Sequence, residues 1–273
     1  RVTILDNYIS FNDSPIGDIT IAAQDIGSTA FDWFLITSDA DAVPGNIQCT
    51  VTMTAGTEEY PYQEQETINL DLTLSQFGFP LDGIVVKSSP IVADLDSDGV
   101  KEIYFGSDNE ALHGYNSFGE EIDGFPFQST DRVRSSPAVG DVDNDGQMEI
   151  VFGNSSGKLY IVNHDGSQQL AYSILGFIEG SPALVDVDGD QDFEIIFNTT
   201  TTSGGKLYAI HHNGITMSGF PKELGSMWVG PAVHDIDNDG AYDIICSTYD
   251  KEVYAVNIDA VSYTHLRAHE TSR

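Results

Sequence analysis

The amino-acid sequence predicts an all-β protein, in which a small β-sandwich domain precedes a partial β-propeller of about four blades. Two observations carry this prediction. Apolar and polar residues alternate with a period of two, which places successive side chains on opposite faces of a strand. From residue 78 onward the chain also repeats itself four times at intervals of 45 to 49 residues, a spacing typical of propeller blades.

The first region, residues 1–77, has the short alternating segments of a β-sandwich. In one of them Ile47, Cys49, Val51 and Met53 alternate with polar residues, which gives that strand one face to bury. The pattern predicts five strands, a number that suits a small immunoglobulin-like sandwich. The predicted strands are 2–5, 18–23, 31–37, 46–54 and 67–74.

The second region, residues 78–260, carries the repeats. Each repeat opens on a proline and passes through an apolar strand, an aspartate-rich loop and two further strands. The opening prolines are Pro90, Pro137, Pro182 and Pro231. Several short strands per repeat, without a helical segment between them, indicate propeller blades and exclude a solenoid of helix pairs.

Both ends of the chain indicate a fragment. The sequence begins at Arg1 without a methionine or a signal peptide, so we expect an internal segment or a processed product. Residues 261–273 contain no glycine and no blade motif, and we interpret them as a non-native tail. Because propellers close with about 4 to 8 blades, we expect the native protein to continue beyond residue 260.

The charge balance narrows the classes of partner. Asp and Glu number 43 against 11 Lys and Arg, which gives a formal net charge of -32. Nucleic-acid phosphates are held by clustered basic residues, and here only Arg132 and Arg134 lie close together, so nucleic acid is disfavoured as a partner. No segment approaches the run of about 18 apolar residues that a membrane-spanning helix requires.

Each repeat places carboxylates at positions 1, 3, 5 and 9 of a nine-residue loop. So many like charges in a tight loop are costly unless a cation lies among them. Oxygen ligands select a hard cation, and four carboxylates with one backbone carbonyl suit the six to eight ligands of calcium better than the tight octahedron of magnesium. We therefore predict about one Ca²⁺ per repeat, which gives three or four in this chain.

The carbonyl is expected from position 7, and glycine at position 6 permits the sharp turn that returns the closing acid to the ion. The predicted metal ligands are Asp94, Asp96, Asp98, Val100 and Glu102; Asp141, Asp143, Asp145, Gln147 and Glu149; Asp186, Asp188, Asp190, Asp192 and Glu194; and Asp235, Asp237, Asp239, Ala241 and Asp243. In the third loop Gln191 replaces the glycine, which predicts a strained turn and a weaker site.

Two other interpretations of these loops are disfavoured. Aspartate–glycine segments are often simple polar turns, but four copies in the same register argue against that interpretation. The loop also differs from an EF-hand, because its closing acid stands at position 9 rather than 12 and a strand follows it.

The repeats resemble the FG-GAP, or VCBS-like, family of calcium-binding propeller repeats, as found in the heads of integrin α subunits. Phe105-Gly106 and Phe152-Gly153 match the first half of the family name, and the Ser-Pro-Ala and Gly-Pro-Ala openings match the second half. The resemblance covers residues 78–260. It implies a propeller with calcium between blade strands, extracellular or on the cell surface, that serves adhesion or ligand binding.

The sequence contains no nucleophile elbow, zinc-protease or phosphate-binding motif, so we predict no enzyme activity in this chain. We predict a calcium-binding adhesion or ligand-binding module with a glycan or a cell-surface protein as ligand, and Trp228 as an aromatic residue available to it. The alternative is the accessory propeller of a secreted hydrolase or lyase, active on protein or polysaccharide, whose catalytic domain lies outside the chain. We expect His211 and His212 to be surface residues, because neighbours on a strand point to opposite faces.

Overall fold

The computed structural model describes residues 78–258 in full and, outside that range, the backbone of residues 19–22, 35–38, 45–57, 60–72 and 264–267. The chain divides into two compact units, Arg1–Gln76 and Phe77–Arg273. No helix occurs among the described residues, which are organised in strands and turns. That part of the chain therefore contains no helix long and apolar enough to cross a membrane.

Among its described residues, the first unit contains two antiparallel strand pairs. Strand β1 (Ile19–Ala22) pairs with β2 (Leu35–Ser38), and β3 (Gly45–Thr57) forms a long hairpin with β4 (Tyr60–Leu72). Strand β4 begins earlier than the predicted strand 67–74, because pairing with β3 supplies backbone hydrogen bonds to a polar segment that the hydrophobic pattern does not mark.

Part of the sandwich prediction lies outside the described residues. This applies to strand 2–5, to residues 31–34 and to residues 73–74. The immunoglobulin-like topology stays a prediction.

The described part of the second unit contains four antiparallel sheets of four strands each, all ordered as simple meanders. Sheet 1 comprises β5 (Ile91–Ala93), β6 (Glu102–Gly106), β7 (Ala111–Tyr115) and β8 (Phe127–Gln128); sheet 2 comprises β9 (Ala138–Gly140), β10 (Glu149–Gly153), β11 (Lys158–Asn163) and β12 (Gln168–Ser173). Sheet 3 comprises β13 (Ala183–Val185), β14 (Glu194–Asn198), β15 (Lys206–Ile210) and β16 (Lys222–Glu223); sheet 4 comprises β17 (Ala232–His234), β18 (Asp243–Ser247), β19 (Glu252–Asn257) and β20 (Thr264–Arg267).

The first strands of successive sheets lie beside one another, since β13 contacts both β9 and β17. Strand β20 falls within the segment that the sequence sets apart as a tail, and its backbone pairs with β19. The origin of that segment stays a prediction.

The core lies between the faces of neighbouring sheets. In β10, Ile150 and Phe152 pack with residues of sheet 1, whereas Val151 packs with residues of sheet 3. In β14, Phe197 packs toward sheet 2 and Ile196 toward sheet 4. Because both faces of these strands are covered, they are almost continuously apolar. Sheets 2 and 3 are thus each held by the sheet before and the sheet after.

The glycine that follows phenylalanine in the first two repeats is required by packing. A Cβ atom at Gly153 would lie 2.1 Å from Cγ2 of Ile178, and one at Gly106 would lie 2.4 Å from Cγ1 of Val133. Both partners belong to the segment that links one sheet to the next. The glycine therefore allows this linking segment to approach the end of the second strand.

Candidate metal sites

The four acidic loops connect the first and second strands of the four sheets. Because all four sheets have the same strand order, the loops lie at corresponding ends of their sheets. The opening aspartates directly follow strands β5, β9, β13 and β17, and the closing acids are the first residues of β6, β10, β14 and β18. The fold thus places the opening and closing acids of each loop at the same edge of a sheet.

Backbone amides orient three of the carboxylates in each loop. In the second loop, Asp141 Oδ2 accepts a hydrogen bond from the Gly146 N–H at 3.0 Å, Asp143 Oδ1 accepts one from the Asp145 N–H at 3.3 Å, and Asp145 Oδ1 accepts one from the Gln147 N–H at 2.8 Å. The same three bonds, from position 6 to 1, 5 to 3 and 7 to 5, recur in the other three loops. The loops therefore share one backbone geometry as well as one spacing.

The closing acid at position 9 is buried in every loop. Glu102, Glu149, Glu194 and Asp243 are exposed by 7%, 2%, 0% and 6%, respectively. One carboxylate oxygen of each accepts a hydrogen bond from the backbone N–H of position 2, at 3.5, 2.9, 2.9 and 3.2 Å. This contact closes the loop and holds a carboxylate in the interior beneath the three aspartates.

Such a buried carboxylate is electrostatically unfavourable without a counter-charge. Burial raises the pKa of Glu149 to about 7, against the lowering effect of the hydrogen bond from Val142, and the charges of Asp143 and Asp145 add to the rise. Burial is also the main cause that raises the pKa of Glu102 and of Glu194. A cation among these groups would offset both effects.

The loops fit a hard divalent cation. In the first loop, carboxylate oxygens of Asp94, Asp96 and Glu102 lie within 4.8 Å of one another, as do those of Asp141, Asp143 and Glu149 in the second loop. Asp94 Oδ1 is buried and has no hydrogen-bond partner among the described residues. A bound cation would supply that missing partner. The position-7 residues approach the site through their N–H groups, and the use of their carbonyls as ligands stays a prediction.

The third loop adopts the same turn with a different residue in the left-handed region. The other three loops have glycine at position 6, whereas Gln191 takes φ 82° at this position. The prediction of a strained turn is in agreement with this angle, which a residue with a Cβ adopts at a cost. The Gln191 N–H still donates to Asp186 Oδ2 at 3.2 Å, so the hydrogen-bond pattern is kept.

His211 and His212, which the sequence predicts to be surface residues, are 26% and 25% exposed, and each faces an acid of the third loop. His211 Nδ1 lies 2.9 Å from Glu194 Oε1, and His212 Nε2 lies 3.2 Å from Asp192 Oδ2. Both histidines follow the end of β15, where the chain enters a turn, so the strand alternation that separates neighbouring side chains no longer applies. Two imidazoles thus join the third acidic loop.

The two neighbouring basic residues, Arg132 and Arg134, each form an ion pair with an aspartate. Arg134 forms a two-pronged ion pair with Asp108, with Nε to Oδ1 at 2.7 Å and Nη2 to Oδ2 at 3.1 Å. Arg132 Nε lies 3.5 Å from Asp131 Oδ1. That nucleic acid is disfavoured as a partner stays a prediction.

A shallow cavity of about 270 Å³ lies between sheets 2 and 3, at the end opposite to the acidic loops. It is lined by Ser155, Ser156, Gly176, Phe177, Thr201 and Thr202. No sequence motif predicts this cavity, because its residues come from three separate turns. Trp228, predicted as a ligand-facing residue, is 51% exposed on the segment that links sheets 3 and 4.

Comparison with known proteins supports the propeller fold. Residues 94–152 match the model of the FG-GAP-like repeat, and that segment covers the first acidic loop, the second loop and the strands between them. No curated protein matches the chain.

Among solved structures, BBS1N in complex with ARL6DN resembles the chain in two crystals. The crystal soaked with mercury has 12% identity and a TM-score of 0.51, covering 68% of this chain and 56% of that one. The crystal soaked with lead has 11% identity and a TM-score of 0.50, covering 71% and 58%. The C-terminal domain of PilY1 from Pseudomonas aeruginosa has 17% identity and a TM-score of 0.46, covering 58% and 38%.

The chain therefore spans less than two thirds of the BBS1N chains that it resembles. At this identity the likeness concerns the fold alone. The chain is an all-β protein with a β-propeller-like unit, and that unit contains an FG-GAP-like repeat.

Proposed function

We propose that this chain is a non-catalytic binding module whose acidic loops hold Ca²⁺, about one ion per loop and three or four in the chain. The observation that carries the proposal is the fourfold recurrence of one loop geometry, with three amide-oriented aspartates above a buried acid. In a polar turn without an ion, a buried carboxylate close to three others would be repelled by their charges. In the first loop the buried Asp94 Oδ1 also lacks a hydrogen-bond partner among the described residues. Calcium is favoured over magnesium because the donors are numerous and all oxygen.

In this proposal calcium has a structural role. An ion held by positions 1, 3, 5 and 9 would tie the end of the first strand to the start of the second strand in each sheet. Since calcium binds the folded loop and not the unfolded chain, it would stabilise the protein by an amount that grows with calcium concentration, about 2.7 kcal/mol per site at 100 times the dissociation constant. The sites suit an environment rich in calcium, so we place the protein outside the cell or on its surface.

The proposed domain organisation follows the sequence. Residues 1–77 would form an immunoglobulin-like sandwich, residues 78–260 about four blades of a propeller, and residues 261–273 a non-native tail. The ligand would be a glycan or a surface protein, bound at the end opposite to the calcium loops. Support for this placement comes from the cavity there, where hydroxyl groups surround the exposed ring of Phe177. One similar structure, BBS1N, is itself a propeller-like chain in complex with a protein.

Thermal unfolding of the full chain in calcium, in magnesium and in chelator tests the metal part of the proposal. We expect a rise in Tm that is specific to calcium and reversed by chelator. Asp141→Asn combined with Asp143→Asn should reduce that rise, whereas Asp123→Asn, an acid outside the loops, should leave it unchanged. An equal Tm in all three solutions would contradict the proposal.

A further inference from the structure

The third acidic loop differs from the other three in its donor atoms. The closing acid of each loop faces the residue at the end of the third strand: Glu149 pairs with Asn163 and Asp243 pairs with Asn257. The register of sheet 1 places Asn116 opposite Glu102 in the same way, one residue beyond the pair Ile103 and Tyr115. Asparagine therefore occupies this place in three sheets.

In sheet 3 the equivalent residue is His211, one position beyond the pair Ile195 and Ile210. Its Nδ1 atom lies 2.9 Å from Glu194 Oε1, and its side chain is 26% exposed. Donor atoms of Asp188, Glu194 and His211 lie within 4.8 Å of one another. The replacement of an amide by an imidazole thus adds a nitrogen donor to the cluster of acids.

The same loop carries a second departure from the pattern. Position 7 is Asp192 here, whereas the other loops have no acid at this position. Asp192 Oδ1 is buried without a hydrogen-bond partner among the described residues, and its Oδ2 faces His212 Nε2 at 3.2 Å. Asp192 also belongs, with Asp190 and Glu194, to a second group of donors within 4.8 Å. An extra carboxylate, held by an outer histidine, is thus available next to the nitrogen-containing cluster.

We infer that the third loop binds a divalent transition cation of the zinc class through Asp188, Glu194 and His211. Calcium and magnesium take oxygen ligands, whereas an imidazole nitrogen beside two carboxylates favours first-row transition ions. His212 is a positioning residue: it orients Asp192, the extra carboxylate beside this cluster, which is available to the ion as a further oxygen donor. The inference shares with the proposed function the premise that these loops hold cations, but it assigns this loop a different ion.

Cobalt titration of the full chain tests the inference, with Co²⁺ as the spectroscopic substitute for zinc. The protein is first freed of metal with chelator and then kept in a large excess of calcium. We expect one equivalent of Co²⁺ to bind with a visible absorption band and to be displaced by an excess of Zn²⁺ but not by calcium. Displacement of Co²⁺ by calcium would overturn the inference.

Two variants locate the site. His211→Asn installs the residue found in the other three sheets, so the fold is kept, and Co²⁺ affinity should fall by more than about tenfold with loss of the band. Asn163→His places an imidazole opposite Glu149 and should create a second cobalt site. Unchanged Co²⁺ binding by His211→Asn, with circular dichroism equal to that of the parent, would overturn the inference.

Calcium binding measured on the same samples separates the two proposals. If calcium binds and the binding of cobalt does not depend on His211, the inference fails and the proposed function stands. If cobalt binds through His211 and calcium does not bind at all, the proposed function fails and the inference stands.

Discussion

Glu149→Gln separates the cost of the buried carboxylate from its use as a ligand. Glutamine has the same shape and keeps an oxygen that can accept the hydrogen bond from the Val142 N–H, which measures 2.9 Å in the parent. The substitution therefore removes one negative charge beneath Asp141, Asp143 and Asp145 and changes little else. Without a cation the charge of Glu149 destabilises the folded state, and with a cation its carboxylate is a ligand.

The magnitude follows from the pKa. The ordinary value of 4.5 rises to about 7 for Glu149 in the folded protein without metal. An acid whose pKa is raised on folding destabilises the folded state at any pH where the unfolded chain would ionise it. For Glu149 this destabilisation is absent below pH 4.5, grows between pH 4.5 and 7, and is complete above pH 7. At pH 8 the cost is roughly 3 kcal/mol. In chelator at pH 8 the variant should therefore be more stable than the parent by up to that amount.

Urea unfolding at pH 8, in chelator and in saturating calcium, measures both effects. The variant should exceed the parent in chelator and gain less than the parent from calcium, since one ligand charge is missing. Glu110→Gln is the matched control, because Glu110 is an exposed acid in the turn between β6 and β7. A variant that is less stable than the parent in chelator, or that gains as much from calcium, would refute the reasoning.

Three further predictions concern single positions. Gly153→Ala places a Cβ 2.1 Å from Cγ2 of Ile178 and should lower the urea midpoint by an amount equivalent to about 1 to 3 kcal/mol; an unchanged midpoint would contradict the packing role of this glycine. Gln191→Gly relieves a φ of 82° and should raise the Tm in chelator by the equivalent of about 1 kcal/mol, whereas a lower Tm would show that the turn is not strained. Arg134 holds the pKa of Asp108 below its usual value, so Asp108→Asn should lower the free energy of unfolding by about 0.5 to 1 kcal/mol at pH 7. This loss should vanish as the pH falls through the lowered pKa, because the parent's carboxylate is then protonated as well. A loss that persists in acid would rule out the ion pair as its cause.

The acidic loops could be predicted from sequence because every part of them is local. Their carboxylates lie within nine residues, and the glycine at position 6 marks the turn. The central strands were equally visible, since burial on both faces makes segments such as 149–153 almost wholly apolar. Repetition then extended each local pattern to four copies.

What the sequence could not provide depends on register and on contacts between sheets. His211 reaches Glu194 only because β15 pairs with β14. The two residues are 17 positions apart in sequence, and no spacing rule predicts a contact at that separation. Phe177 meets Ser156 and Thr201 only where two sheets adjoin. Strand β4 begins in a polar segment without alternating apolar residues, so only its backbone pairing with β3 identifies that segment as a strand.

Calorimetric titration of the metal-free full chain with calcium tests the central claim most directly. We predict three or four equivalents of bound calcium, a number that falls by one in the variant Asp141→Asn with Asp143→Asn, and weaker or no binding of magnesium. A folded chain that binds no calcium would show that the loops are acidic turns, and the account of this protein as a calcium-stabilised binding module would be wrong.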